Sequence, residues 1–114
     1  MSNSFTGTSD AFWNIAANWQ GGVPGVGDTA VLSDISDCIL DANDQVAHLI
    51  MTGYTGTLFL SDNDLTVTGD AILDGTIDNG GASGLGEIIV NGNITMTSDM
   101  TFLNSGGRVL VVAD

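Results

Sequence analysis

The feature that most constrains this chain is a loose internal period of about twenty residues. From Asp28 onward the sequence breaks into apolar pieces of three to six residues, alternating in part, each ended by Gly, Asn, Asp or Ser. The pieces lie at 29–32, 37–40, 46–51, 57–60, 65–68, 71–73, 75–77, 87–90, 93–97, 100–103 and 108–112. Laying D-A-N-D-Q-V-A-H-L from Asp41 over S-D-N-D-L-T-V-T-G from Ser61 sets Asn43 on Asn63 and Asp44 on Asp64, a shift of twenty. Beyond that match the order strand, turn, strand, turn recurs. A unit of this length is about one turn of a β-helix, which cannot bury its inner face alone and must stack on its neighbours.

The expected fold is therefore all-β: a short single-domain parallel β-helix (β-solenoid) of about four rungs over residues 28–114, with residues 1–27 as an N-terminal arm and cap. The competing architecture is an antiparallel β-sandwich or jelly roll, which also shows short strands every eight to twelve residues. It is disfavoured because hairpin signals of the Asn-Gly type occur only at Asn79-Gly80 and Asn91-Gly92. A single helical turn is expected, within residues 10–18. Seven aromatics in 114 residues make the expected core thin and aliphatic.

Charge limits the partners. Arg108 is the only basic residue against fourteen acids, and the net charge of −13 repels nucleic-acid backbones and anionic membranes. All the acids but Glu87 are Asp, scattered singly among Gly, Asn, Ser and Thr, which is turn chemistry rather than an acidic tail. Cys38 is the sole cysteine and lies in an apolar run, so it is expected to be a buried small hydrophobe. The opening M-S-N-S-F-T-G-T-S-D has neither a basic n-region nor an apolar h-region, so no Sec signal peptide is expected. No apolar run approaches the ~18 residues of a membrane span.

Little in the chain reads as catalytic. The carboxylate pairs Asp41/Asp44, Asp62/Asp64 and Asp70/Asp74 all fall at turn-like positions. His48 sits between apolar residues, with no nucleophile motif placed beside it. No enzyme activity is expected. Asn43, Asp44, Asn63 and Asp64 would stack on adjacent rungs in a twenty-residue register, an oxygen-rich set that suits Ca²⁺; hydrogen bonding between like turns is the competing explanation, and no cofactor is expected.

The segment F-W-N-I-A-A-N-W-Q-G-G-V-P-G-V-G-D-T-A-V-L (12–32) resembles the first turns of right-handed β-helices in bacterial adhesins, autotransporter-type surface proteins and phage tailspikes. T-G-Y-T-G-T-L-F-L-S-D-N-D-L-T-V-T-G-D-A-I-L-D-G-T-I (52–77) is similar to their rungs. The two segments cover about two-thirds of the chain. Such proteins are much longer than this chain, and the architecture serves adhesion, glycan cleavage and structure alike.

The resemblance, the small size, the absent signal and the acidity together imply a structural virion protein. The expectation is a phage capsid decoration protein made in the host cytoplasm, bound on the virion surface to the major capsid protein or another virion protein, as a homotrimer or another symmetric homo-oligomer. Trp13 and Trp19 are expected to plug the lower end of the solenoid and, with Arg108, Val109, Leu110, Val111 and Val112, to supply the contact surfaces; the apolar last strand is expected to be covered by a partner or by symmetry mates. The alternative is a glycan-binding adhesin or receptor-binding module using Trp13, Trp19 or Tyr54.

Overall fold

A computed structural model of the chain describes residues 2–7, 10–79, 86–98, 100–103 and 110–112, the last three by backbone alone. The strands are β1 (Ser2–Phe5), β2 (Trp19–Gln20), β3 (Thr29–Val31), β4 (Cys38–Ile39), β5 (Asp44–Val46), β6 (His48–Ile50), β7 (Thr57–Phe59), β8 (Asp64–Val67), β9 (Ala71–Leu73), β10 (Thr76–Asp78), β11 (Glu87–Val90), β12 (Ile94–Met96), β13 (Thr101–Leu103) and β14 (Leu110–Val112). They build three sheets. Sheet I runs β12-β9-β6-β3-β1-β2, sheet II β13-β10-β7-β4 and sheet III β14-β11-β8-β5. Every pairing between these strands is parallel except β1 with β2. The fold is a β-solenoid of about three turns, not a jelly roll.

Each strand is short because the chain must leave one sheet for the next every few residues, and alternation decides what faces inward. In sheet I the inward row is Asn3, Ala30, Leu49, Ala71 and Ile94; in sheet II Cys38, Leu58 and Ile77 lie beneath Phe102; in sheet III Leu65 and Ile88 run beside Val46, Val67 and Val90. These side chains are buried in the lower rungs. Full burial of a Leu, Ile or Val is worth roughly 1.5–3 kcal/mol, so the stacked aliphatic rows hold the rungs together. Cys38 is one of them, as its apolar neighbours predict; burial pushes its thiol pKa far above the ordinary value, with Asp41 adding to the effect.

Three local expectations are corrected. The piece at 46–51 is two strands on two sheets, β5 and β6, because the chain turns at Ala47 alone. The helical turn shrinks to the 3-10 helix Ala16–Asn18. The shift of twenty holds only as far as Leu60: Cys38 pairs with Leu58, but Asp44 pairs with Leu65. One extra residue is taken up between them by Ser61 and Asp62, both left-handed at φ 52° and 63°. Asn43 therefore lies under Asp64, not Asn63, and Asp44 lies under Leu65, not Asp64.

The lower end is closed. Strand β2 reverses against β1, and Phe12 bridges to Ile39 beneath sheet II. Trp13, Trp19 and Phe5 pack edge to face above this floor, with ring centroids 4.8 Å apart for the two Trp and 5.1 Å for Phe5 with Trp19. The Trp19 Nε1–H donates to the Trp13 carbonyl at 2.6 Å. Asn3 Nδ2 donates to the Gly21 and Gly22 carbonyls, fastening the return loop.

Candidate functional site

The acids and amides at the corners have a shared task. A residue at the start of a strand uses its side chain to accept the backbone N–H of its register partner one rung up: Asp37 Oδ1 from Thr57 at 3.0 Å, Asn43 Oδ1 from Asp64 at 2.8 Å, His48 Nδ1 from Asp70 at 3.0 Å and Asp70 Oδ1 from Asn93 at 2.9 Å. At corners the sheet ladder is interrupted, and these side chains replace its missing acceptors. In the His48 bond the ring accepts through Nδ1. Close stacking at the same corner needs glycine: a Cβ on Gly69 would collide with the His48 ring and the Ala47 carbonyl.

Asp10, Asp28, Asp34 and Asp41 likewise accept nearby backbone N–H groups. Where their bonds are described, the carboxylates of the pairs read from the sequence join separate rungs or loops: Asp41 and Asp44 accept from Asn14, Asp70 from Asn93 N–H, and Asp74 from Gly53 N–H, Gly75 N–H and the Thr97 hydroxyl. Of the metal candidates, Asn43 and Asp64 are joined directly, and Asn63 turns away to donate from Nδ2 to the Leu40 carbonyl at 2.8 Å. Asp44 accepts from Asn14 Nδ2 at 2.9 Å. Among the described residues no three His, Cys, Asp or Glu side chains converge as a metal site. Asn43, Asp44 and Asp64 do share a groove on the flank of sheet III with Gln45, Thr66 and the loop at Pro24–Val26.

The predicted contact residues divide. Trp13 and Trp19 are buried in the lower cap, and Tyr54 is buried with its hydroxyl against the Ser36 and Thr57 carbonyls, so none of the three rings offers a free face. Leu110, Val111 and Val112 form β14 on the upper edge of sheet III. Arg108 and Val109 lie outside the described residues.

What sequence reading missed is the outer face of sheet II. Register places Phe12, Ile39 and Phe59 in one outward row on three successive rungs, continued by Asp78 and Leu103. Phe12 is 42% exposed, and Ile39 and Phe59 are half-buried. Beside this row stands a second one, Asp37, Thr57, Thr76 and Thr101, which is polar with an acid at its lower end. Ile15, also exposed, follows Phe12 by three residues. Phe12, Ile39 and Phe59 thus stand as an apolar line at the strand spacing, with Asp78 continuing the row and Asp37 beside it. Only the register reveals it, since Phe12, Ile39 and Phe59 are twenty or more residues apart in the chain. No protein-family model matches this sequence, and neither a curated protein nor a solved structure is found similar to it.

Proposed function

We propose that this protein is a non-enzymatic structural module that coats a larger assembly, in the manner of a phage capsid decoration protein seated on the major capsid protein as a symmetric homo-oligomer. In this reading it is a short architectural counterpart of tailspike and adhesin solenoids, and it works at the virion surface. The observation that carries the reading is the outward row Phe12, Ile39 and Phe59 on sheet II, with Asp37 and Asp78 on the same face. A rigid apolar line edged by carboxylates suits a partner that offers apolar side chains among basic ones. The corner carboxylates support a structural role as well, because they serve backbone N–H groups of adjacent rungs.

The test is sedimentation of the native protein from its source lysate. Cosedimentation with megadalton particles in fixed stoichiometry, lost on Phe59→Asp while the fold is kept, supports the reading. A free monomer or small oligomer in that lysate overturns it. A second reading, glycan binding, is favoured by the groove of Asn43, Asp44, Gln45, Asp64 and Thr66 rather than by the buried aromatics; it predicts glycan-array binding that disappears on Gln45→Ala.

A further inference from the structure

The two ends of the solenoid differ. The lower end is closed by β2 and the three aromatic rings of the cap. At the upper end the inward rows of sheets I and II become less buried. Leu73 is fully buried, and its register partner Met96, one rung up, is 52% exposed. Ala71 gives way to half-buried Ile94, and Ile77 to half-buried Phe102, with Met100 half-buried beside them. The strands of this rung, β12, β13 and β14, end all three sheets, and no described strand pairs with their far sides. Core side chains and three rows of ladder groups therefore face the same way.

Charge says what fits there. The described residues of the upper rung, 91–98, 100–103 and 110–112, include no acid and no base. Twelve of the fourteen acids fall within residues 1–90, so most of the net charge of −13 belongs to the body below that rung. A basic partner would be drawn to that body and away from this end. Another copy of the chain meets the least repulsion when the two upper ends face each other and the charged bodies point apart.

The dimensions agree. The principal extents are 32 × 29 × 26 Å, so the cross-section at an end is on the order of 800 Å² whichever extent lies along the axis, room enough for a contact of standard size.

We infer that the upper rung is a self-docking surface, on which two copies meet end to end about a two-fold axis perpendicular to the solenoid axis. That symmetry sets the edge strands of the two copies antiparallel, a pairing that β-edges accept, and covers Ile94, Met96 and Phe102 from both sides. The association closes at two copies because the opposite end is capped. The inference is independent of docking on a virion: the pair forms in free solution, through a face distinct from the row on sheet II.

Sedimentation equilibrium of the purified full chain tests it. The expected result is a monomer–dimer equilibrium that tightens with added salt, as residual repulsion between the acidic bodies is screened. Met96→Asp, at an already exposed position, is expected to weaken the dimer at least about tenfold by bringing like charges together across the axis. Phe59→Asp and Val26→Asp, away from this end, are expected to leave it unchanged. A chain that stays monomeric up to about 0.5 mM overturns the inference and assigns the upper end to another occupant. So does growth beyond two copies, and so does a dimer broken by Phe59→Asp and indifferent to Met96→Asp. Circular dichroism of Met96→Asp separates lost docking from lost fold, and should Met96→Asp unfold, Thr95→Asp, exposed on the same edge strand, takes its place with the same expected weakening.

Discussion

The Thr97 hydroxyl donates to Asp74 Oδ1 at 2.6 Å, and through that carboxylate three rungs are tied at one corner. The same carboxylate accepts from Gly75 N–H on its own rung and from Gly53 N–H on the rung below. The Thr97 hydroxyl, then the Gly75 and Gly53 N–H groups, hold the Asp74 carboxyl below the usual carboxylate range. A lowered carboxylate pKa contributes stability above the unfolded value near 3.9, and that stability is lost as pH falls through the folded value. Asp74→Asn is therefore expected to melt lower than the unaltered chain at neutral pH, with the gap closing in acid. Thermal melts of both proteins from about pH 7 to pH 3 check this; a gap that stays constant over that range would mean that charge at Asp74 contributes nothing.

Asp44 has the opposite sign. Burial pushes its carboxyl up, the Asn14 side chain pulls it down, and the Asp41 charge pushes it up again, with a net rise. A raised carboxylate pKa favours the folded state below the unfolded value, and this contribution is lost as pH rises through the folded value. Asp44→Asn keeps an oxygen for Asn14 Nδ2 and removes the charge. It is expected to stabilise the protein near neutrality by a few tenths of a kcal/mol, a small effect because the group is largely solvated. The advantage disappears in acid, which urea midpoints at about pH 7 and pH 3 would reveal.

How much of this was legible in the sequence depends on distance along the chain. Strand pieces such as 57–60 and 87–90 were readable because alternation is local, and the aspartates announced themselves as turn residues. Strand β1 was not readable, since S-N-S-F buries Asn3 in place of an aliphatic residue and relies on the loop carbonyls to accept from its Nδ2. The corner at Ala47 carries no Gly or Pro to mark it. The outward row Phe12, Ile39 and Phe59 depends on registers of 27 and 20 residues, which no fixed period supplies. The stacking expected of the calcium candidates rested on the same fixed period: one inserted residue sets Asn43 beneath Asp64 and Asp44 beneath Leu65.

That insertion is testable by itself. Ser61 and Asp62 stand in succession in the left-handed region, where a residue with a Cβ pays about 1 kcal/mol or more. Glycine removes that cost and gives part of it back through a freer unfolded chain. Ser61→Gly is expected to raise stability by about 0.5 kcal/mol, and Ser61→Val to lower it by about 1–2 kcal/mol. Urea denaturation of the pair measures the difference, and a valine variant as stable as the glycine variant would rule out a left-handed backbone at this corner.

The two tryptophans of the cap call for unequal responses to one substitution. Both rings are buried, but Trp19 Nε1–H has the Trp13 carbonyl as acceptor, whereas Trp13 Nε1–H has no partner among the described residues. Replacing Trp13 by Phe discards an unpaired buried donor, whose desolvation costs about 1–3 kcal/mol, and this offsets much of the lost ring volume. Replacing Trp19 by Phe loses comparable volume and a hydrogen bond, and deprives the Trp13 carbonyl of that donor. Trp13→Phe is expected within about 1 kcal/mol of the unaltered chain, Trp19→Phe about 1–2 kcal/mol below Trp13→Phe, and Trp13→Ala about 3–5 kcal/mol down because it opens the cap. Far-UV circular dichroism in urea follows all three without relying on the indole signals being removed. If Trp13→Phe were the more damaging of the two conservative changes, the Trp13 N–H would have to be paired in solution, and the lower cap would then hold a polar partner in its interior.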